Sequence, residues 1–191
     1  MLYNVVLFLH ILGAVIMFMA IAILALSMLS MVTSKDTENI KRWSGLAVKT
    51  DALFPMSTLI ILIPAFYLVF SAWGWGTAWI NVSLAALLGT SFLGPVINLR
   101  RLKGILAAAE AETDAVPSAS LMNKVRDRVL WNSVSVMSML VMAILFLMAV
   151  KLALLGSLIT MGLAVVVGFG MAYFILEKTK PGTSTDTVSF R

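Results

Sequence analysis

The chain has 191 residues, of which 61% are hydrophobic and only 12% are charged, and its formal net charge is +5. Soluble domains carry about 25% charged residues, so this composition indicates a membrane protein. The absence of cysteine excludes disulfide bonds, iron–sulfur clusters, thiolate zinc sites and covalently attached c-type haem. The basic residues flank apolar runs and do not form a stripe among aromatic residues, which indicates a topology signal and no nucleic-acid partner.

The first half of the chain predicts three transmembrane helices, since a span needs about 20 apolar residues. Residues 1–34 are too few for two helices and a turn, so they predict one long helix. A basic cytoplasmic loop follows over residues 35–51. Residues 52–99 predict a hairpin of helices 2 and 3, whose turn falls between Ser71 and Thr77, where glycines alternate with tryptophans.

Residues 100–128 predict a cytoplasmic loop built from two helical stalks. The break between the stalks is expected from Asp114 to Ser120, around Pro117. Ser118 or Ser120 would then cap a helix that runs through Arg128 into the membrane.

The last third of the chain predicts a second transmembrane hairpin over residues 129–176, with helices 4 and 5 on either side of Lys151. Residues 177–191 are polar and predict a disordered cytoplasmic tail. The predicted fold is therefore all-α, a polytopic bundle of five transmembrane helices.

Charge asymmetry predicts the orientation of this bundle, because lysine and arginine in short loops stay in the cytoplasm. Thirteen of the 14 basic residues fall on one predicted face, and only Lys151 falls on the other. The thirteen are Lys35, Lys41, Arg42, Lys49, Arg100, Arg101, Lys103, Lys124, Arg126, Arg128, Lys178, Lys180 and Arg191. We therefore expect a multi-pass protein of the bacterial plasma (inner) membrane, with the N-terminus outside and the C-terminus inside.

Prolines and small residues within the spans predict irregular or closely packed helices. Pro64 and Gly94-Pro95 are expected to kink their helices. Close backbone approach is expected at the small-residue positions Ala85, Gly89, Gly156, Thr160 and Gly168.

His10 is the only histidine and is the leading candidate for chemistry, roughly 12 Å from the outer end of helix 1. Three interpretations are open: a hydrogen bond to a neighbouring helix, a haem or metal ligand, and a proton relay. Met142 and Met161 are predicted at a similar depth, so either could complete a His/Met pair on a b-type haem. Most of the thirteen methionines are expected simply to fill space between helices.

A second candidate is Asp51 at the predicted start of helix 2, where an acid can cap a helix N-terminus and pair with a basic neighbour. Several further polar residues lie within or near the spans, where they could line a path or bond between helices. These are Asn81, Asn98, Asn132, Ser133, Ser135 and Ser138.

Three short motifs carry a resemblance to a known family. They are Phe8-Leu9-His10-Ile11-Leu12-Gly13-Ala14-Val15, Asp51-Ala52-Leu53-Phe54-Pro55 and Trp73-Gly74-Trp75-Gly76-Thr77-Ala78-Trp79. Over about residues 1–150 the chain resembles the predicted integral membrane proteins of the domain of unknown function 2269 group. The helix-1 motif is also similar to small membrane proteins of the copper-resistance CopD type and the HemJ type of haem-pathway oxidase. That similarity implies a cofactor or metal ligand at His10.

No set of residues in the sequence matches a catalytic constellation, so enzyme activity is not predicted. The first interpretation is a non-catalytic membrane subunit or scaffold, which packs against a membrane protein partner or a second copy and contacts anionic lipid headgroups through its basic loops. The alternatives are a b-type haem or metal-binding redox protein that uses His10, and a small-solute permease or channel.

Overall fold

The computed structural model describes residues 1–179, and within that range the chain forms helices and no strand. The helices are, in chain order, α1 (Leu2–Thr33), α2 (Thr37–Ala52), α3 (Phe54–Leu68), α4 (Ala78–Gly94), α5 (Arg100–Ala111), α6 (Ala119–Val125), α7 (Arg128–Val150) and α8 (Leu154–Lys178). Two segments are π-helical, Val69–Trp73 after α3 and Pro95–Leu99 after α4. Most of the tail predicted to be disordered lies outside the described residues.

Five helical stretches within residues 1–179 are long and apolar enough to cross a membrane, which confirms the predicted five-helix architecture. They are Leu2–Thr33, Thr37–Trp73, Ala78–Ala111, Ala119–Val150 and Leu154–Lys178. The first is a single helix of 32 residues, as predicted, and is about 48 Å long at about 1.5 Å per residue. The fifth is also a single helix, α8, whereas the other three are each built from two or more helical segments.

The loops that carry the basic residues meet at one end of the bundle, which we call the basic end. The backbone N–H of Thr37 donates to the Ala115 carbonyl at 2.9 Å, which joins the start of α2 to the segment between α5 and α6. Arg126 donates to the carbonyl of Thr179, which joins the start of α7 to the end of α8. The opposite end carries Trp73, Trp75 and Trp79, and we call it the tryptophan end.

The connection from α5 to α7 is confirmed in part. Ser118 caps α6 as predicted, since its hydroxyl accepts the N–H of Leu121 at 3.2 Å. The prediction of a helix running through Arg128 is wrong, because α6 ends at Val125 and α7 starts again at Arg128. The reason is Asp127, whose carboxylate accepts the N–H of Val129 at 2.8 Å and so caps a new helix.

The two hairpin turns occur at residues with positive φ. The π-helical segment after α3 ends at Gly74, where φ is 74° and a residue without Cβ avoids strain. The predicted break at Lys151 is confirmed: it ends α7 in the left-handed conformation, with φ of 57°, and its N–H donates to the Leu147 carbonyl at 2.8 Å.

Close helix contacts occur at two glycines. A Cβ at Gly168 of α8 would lie 2.6 Å from Cα of Val136 in α7, which confirms the predicted close approach there. The same prediction is wrong for Gly89, which has nothing within 4 Å of its Cβ position. At Gly13 of α1 a Cβ would lie 2.9 Å from a side-chain carbon of Ile61, so α1 and α3 also pack closely.

Candidate functional site

His10 is buried in α1 beside α3, near the tryptophan end. Its Nδ1 lies 3.1 Å from the carbonyl oxygen of Ile61, and the Trp73 ring meets it edge to face at a centroid distance of 6.4 Å. A carbonyl only accepts hydrogen bonds, so Nδ1 carries the proton and donates. The other nitrogen, Nε2, is buried without a hydrogen-bond partner, which fits a neutral ring. His10 therefore bonds α1 to α3, the first of its predicted interpretations.

The structure places the two candidate methionines in different surroundings. Met161 packs at the tryptophan end with Val69, Trp79 and Leu147. Met142 is half exposed on the outer surface of α7. Nε2 of His10, the nitrogen that would bind a haem iron, is buried without a hydrogen-bond partner. The His/Met ligand pair stays a prediction from sequence.

Asp51 lies in the last turn of α2, and the prediction that it caps the start of a helix is wrong. The N-cap of α3 is Leu53, which makes no side-chain capping bond. Pro55 lacks the N–H that would bond the Asp51 carbonyl, so the helix stops and begins again at Phe54. The Asp51 side chain is only 3% exposed, and its Oδ2 has no hydrogen-bond partner.

The Asp51 side chain borders a partly open cavity of about 60 Å³, large enough for several water molecules. The cavity lies among α1, α3, α4 and α7, toward the basic end. Its polar lining residues are Asp51, Thr58, Thr90, Ser91, Asn98 and Ser138. Its apolar lining includes Met17, Phe54 and Leu87.

Two of these side chains present unpartnered oxygens. Asn98 contacts the Met137 sulfur through Nδ2 at 3.5 Å, whereas its Oδ1 is buried without a partner, like Oδ2 of Asp51. A carboxylate oxygen and an amide oxygen both accept and cannot donate, so they do not satisfy each other. The missing partner is therefore a cation, a proton on Asp51, or a hydrogen-bond donor.

One comparison with known proteins covers most of the chain. A family model described as "Predicted integral membrane protein (DUF2269)" matches residues 4–152. The chain belongs to the DUF2269 family. This confirms the family resemblance carried by the three sequence motifs, and the matched range includes His10, Asp51 and Asn98. No curated protein and no solved structure matches the chain, so the similarity to the CopD and HemJ types stays an expectation.

The cavity of this DUF2269 protein has one ionisable group. Asp51 is the only titratable side chain among the described residues that line it. A carboxylate buried in an apolar region is costly when charged and unpaired, by several kcal/mol or more in order of magnitude. Asp51 is therefore stabilised there by a proton, by a cation beside it, or by a hydrogen-bond donor such as water in the cavity.

Sequence analysis identified Asn98 and Ser138 as polar residues that could line a path, but it missed Thr58, Thr90 and Ser91. For Thr90, the spacing along the sequence does indicate a shared helix face with Asn98. Thr90, Gly94 and Asn98 follow each other at intervals of four, which places them on one helix face. Thr58 follows the helix break at Leu53, so its spacing from Asp51 gives no such signal; its Oγ1 accepts the Ser91 hydroxyl at 3.1 Å.

Proposed function

We propose that this DUF2269 protein is a small permease that carries a proton or a monovalent cation bound at Asp51. The observation that carries the proposal is the pair of unpartnered acceptor oxygens, on Asp51 and Asn98, beside one cavity within the membrane-spanning bundle. Leaving a buried acceptor without a partner costs about 1–3 kcal/mol, and more for a charged group. Other buried polar atoms also lack a partner, among them Nε2 of His10, but Asp51 and Asn98 place theirs beside one cavity, where a single bound ion or water can reach both.

Interrupted helices beside the cavity support the same proposal. The junction at Leu53 separates α2 from α3 next to Asp51, and the π-helical segment Pro95–Leu99 carries Asn98. Many transporters bind their substrates where membrane helices are discontinuous, because backbone and side-chain oxygens are then available to the ligand. Insertions of π-helix are likewise frequent at functional sites.

The ligand class follows from the groups in the cavity. One carboxylate, one amide oxygen and several hydroxyl groups are hard oxygen donors, which suit a proton or an alkali cation. A single carboxylate supplies one negative charge, so it balances a monovalent ion better than a divalent one. Apart from Asp51, the described residues that line the cavity are uncharged, and Met17, Phe54 and Leu87 are apolar. The cavity therefore offers no second charged group to a larger ionic solute.

The membrane and the orientation of the protein are part of the same proposal. We place it in the bacterial inner membrane with the basic end in the cytoplasm, which puts the Asp51 cavity in the cytoplasmic half. Assembly with a membrane protein partner or a second copy stays a prediction from sequence.

Flux through liposomes tests the proposal. Purified protein is reconstituted into vesicles, and proton, Na⁺ and K⁺ movement is followed with trapped fluorescent indicators under an imposed gradient. We expect flux of at least one of these ions above that of protein-free vesicles. Asp51→Asn removes the charge at nearly constant shape and is expected to reduce the flux by about tenfold or more, a loss of about 1.4 kcal/mol or more. Asp114→Asn, the same change at an exposed loop residue, should leave the flux unchanged.

Two outcomes would overturn the proposal: no flux of any of the three ions, or wild-type flux in folded Asp51→Asn. Asn98→Leu gives a second measurement that does not depend on the stability of the Asp51 variant. It removes an unpartnered buried oxygen, so the folded protein should be at least as stable as wild type while its flux falls. A stable Asn98→Leu variant with full flux would contradict a role for this cavity.

A further inference from the structure

A second cavity, of about 430 Å³, opens at the basic end between the start of α7 and the end of α8. Arg126, Arg128 and Asn132 line it from the side of α7. Phe169, Tyr173, Leu176 and Glu177 line it from α8. It shares no lining residue with the Asp51 cavity, and it has no part in the function proposed above.

Arg126, one of the polar residues of this cavity, is held in position by a hydrogen bond to the backbone. Arg126 lies in the short break between α6 and α7, where its guanidinium donates to the Thr179 carbonyl and its Nε is buried without a partner. Arg128 is exposed and forms no ion pair within residues 1–179. Two arginines thus line one side of the cavity, and Glu177 lines the other. The two guanidinium groups suit an anionic group.

The rest of the lining is aromatic and faces outward. Phe169 is 50% exposed and Tyr173 is 68% exposed, and they lie one helical turn apart on α8. Because α8 is a candidate membrane span, this exposed face contacts lipid. The cavity thus joins a cationic group at the membrane surface to an apolar wall that runs into the hydrocarbon region.

We propose that this cavity is a binding site for one anionic phospholipid, with the phosphate at Arg126 and Arg128 and an acyl chain along Phe169 and Tyr173. Guanidinium groups bind phosphate oxygens through charge-assisted hydrogen bonds, and basic pockets between membrane helices bind anionic headgroups. Charge complementarity and the aromatic wall together select a lipid over a free anion. Asn132, one turn below Arg128, supplies an amide to the headgroup or ester oxygens.

Native mass spectrometry of the full chain in mild detergent tests this site. Phosphatidylglycerol and phosphatidylcholine are titrated separately, and the first lipid bound is quantified. We expect phosphatidylglycerol to bind more tightly than phosphatidylcholine, and Arg128→Gln to weaken it by about fivefold, the effect of roughly one surface arginine. Tyr173→Ala should also weaken it, since the aromatic wall is lost. The matched control is Arg100→Gln, an exposed arginine at the same end that does not line the cavity.

Equal weakening by Arg100→Gln and Arg128→Gln would overturn the proposal, because the attraction would then be a general property of the basic end. Equal binding of the two lipids to wild type would overturn it as well. Inorganic phosphate provides the last comparison. If millimolar phosphate displaces phosphatidylglycerol, the site recognises a free anion and the lipid assignment is wrong; retention of the lipid supports it.

Discussion

His10 and Asp51 are both polar residues buried in apolar helices, yet their surroundings give them different roles. The N–H at Nδ1 of His10 donates to the carbonyl of Ile61, and this hydrogen bond joins α1 to α3. Oδ2 of Asp51 has no partner and borders a cavity. The sequence favoured His10 because it is the only histidine. The function proposed above instead rests on Asp51, whose cavity is formed by helices that are distant in sequence.

The contact between His10 and Ile61 predicts a loss of stability when the donor is removed. His10→Phe keeps a ring of similar size but removes the donor to the Ile61 carbonyl, which should cost about 0.5–1.5 kcal/mol, the net contribution of one hydrogen bond. His10→Ala also opens a cavity and should cost more, by about 1 kcal/mol or more. Thermal unfolding in detergent measures both, with an expected decrease of several degrees in the melting temperature.

Two results would contradict this role of His10. One is wild-type stability of His10→Phe, which would mean that the hydrogen bond contributes nothing. The other is a Soret absorption band in wild-type protein from haem-replete cells that is lost in His10→Ala. That band would support the ligand interpretation and would require a packing different from the one described here.

At the level of helices, the sequence predicted the number of spans, but the predicted loop over residues 35–51 is largely helix α2. Lys151 and the glycine- and tryptophan-rich turn marked the hairpins correctly, because charges and turn-forming residues interrupt long apolar runs. The break at Arg126 and Asp127 was missed, since its cause is a local capping bond inside a stretch of good helix formers. Helix periodicity also could not show which polar residues of different helices share a cavity.

The π-helical segment Pro95–Leu99 shows a second limit of sequence analysis. A kink was expected at Gly94-Pro95, because Pro95 has no N–H to bond the Ser91 carbonyl. The structure has a wider helical turn there. In that turn Asn98 stays aligned with Thr90 and Gly94, and all three line the Asp51 cavity. The chain signals an irregularity at the proline, but only the backbone path shows which side chain it directs inward.

The packing of α7 on α8 gives a prediction about one glycine. Gly168→Ala would place a Cβ 2.6 Å from Cα of Val136, and because a backbone atom cannot move aside easily, the two helices must separate. Overpacking of this kind costs about 1–3 kcal/mol. Gly162→Ala is the matched control on the same helix, since nothing lies within 4 Å of its Cβ position and alanine favours helix. Thermal unfolding should show a lower melting temperature for Gly168→Ala alone; equal effects of both changes would contradict this packing.

For the whole molecule as far as Thr179, the structure adds one fact to the charge pattern: the two basic loops and the end of α8 come together in space. The contacts from Thr37 to Ala115 and from Arg126 to Thr179 place the loops beside one another at the basic end. Lys151 lies at the turn of the second hairpin, at the other end of α7. Because lysine and arginine in short loops stay in the cytoplasm, this shared end of the bundle is predicted to face the cytoplasm. All five spans then have one consistent orientation.

The lack of native cysteine makes this orientation directly measurable. Asp114→Cys introduces a thiol at an exposed position of the basic end, and Gly76→Cys introduces one at the exposed turn of the tryptophan end. In intact cells with a permeable outer envelope, a membrane-impermeant maleimide should label Gly76→Cys and should label Asp114→Cys only after lysis. The reverse pattern would invert the protein and place the Asp51 cavity in the outer half of the membrane. The contacts within the bundle would be unchanged, but the direction of any cation flux through Asp51 would have to be reassigned.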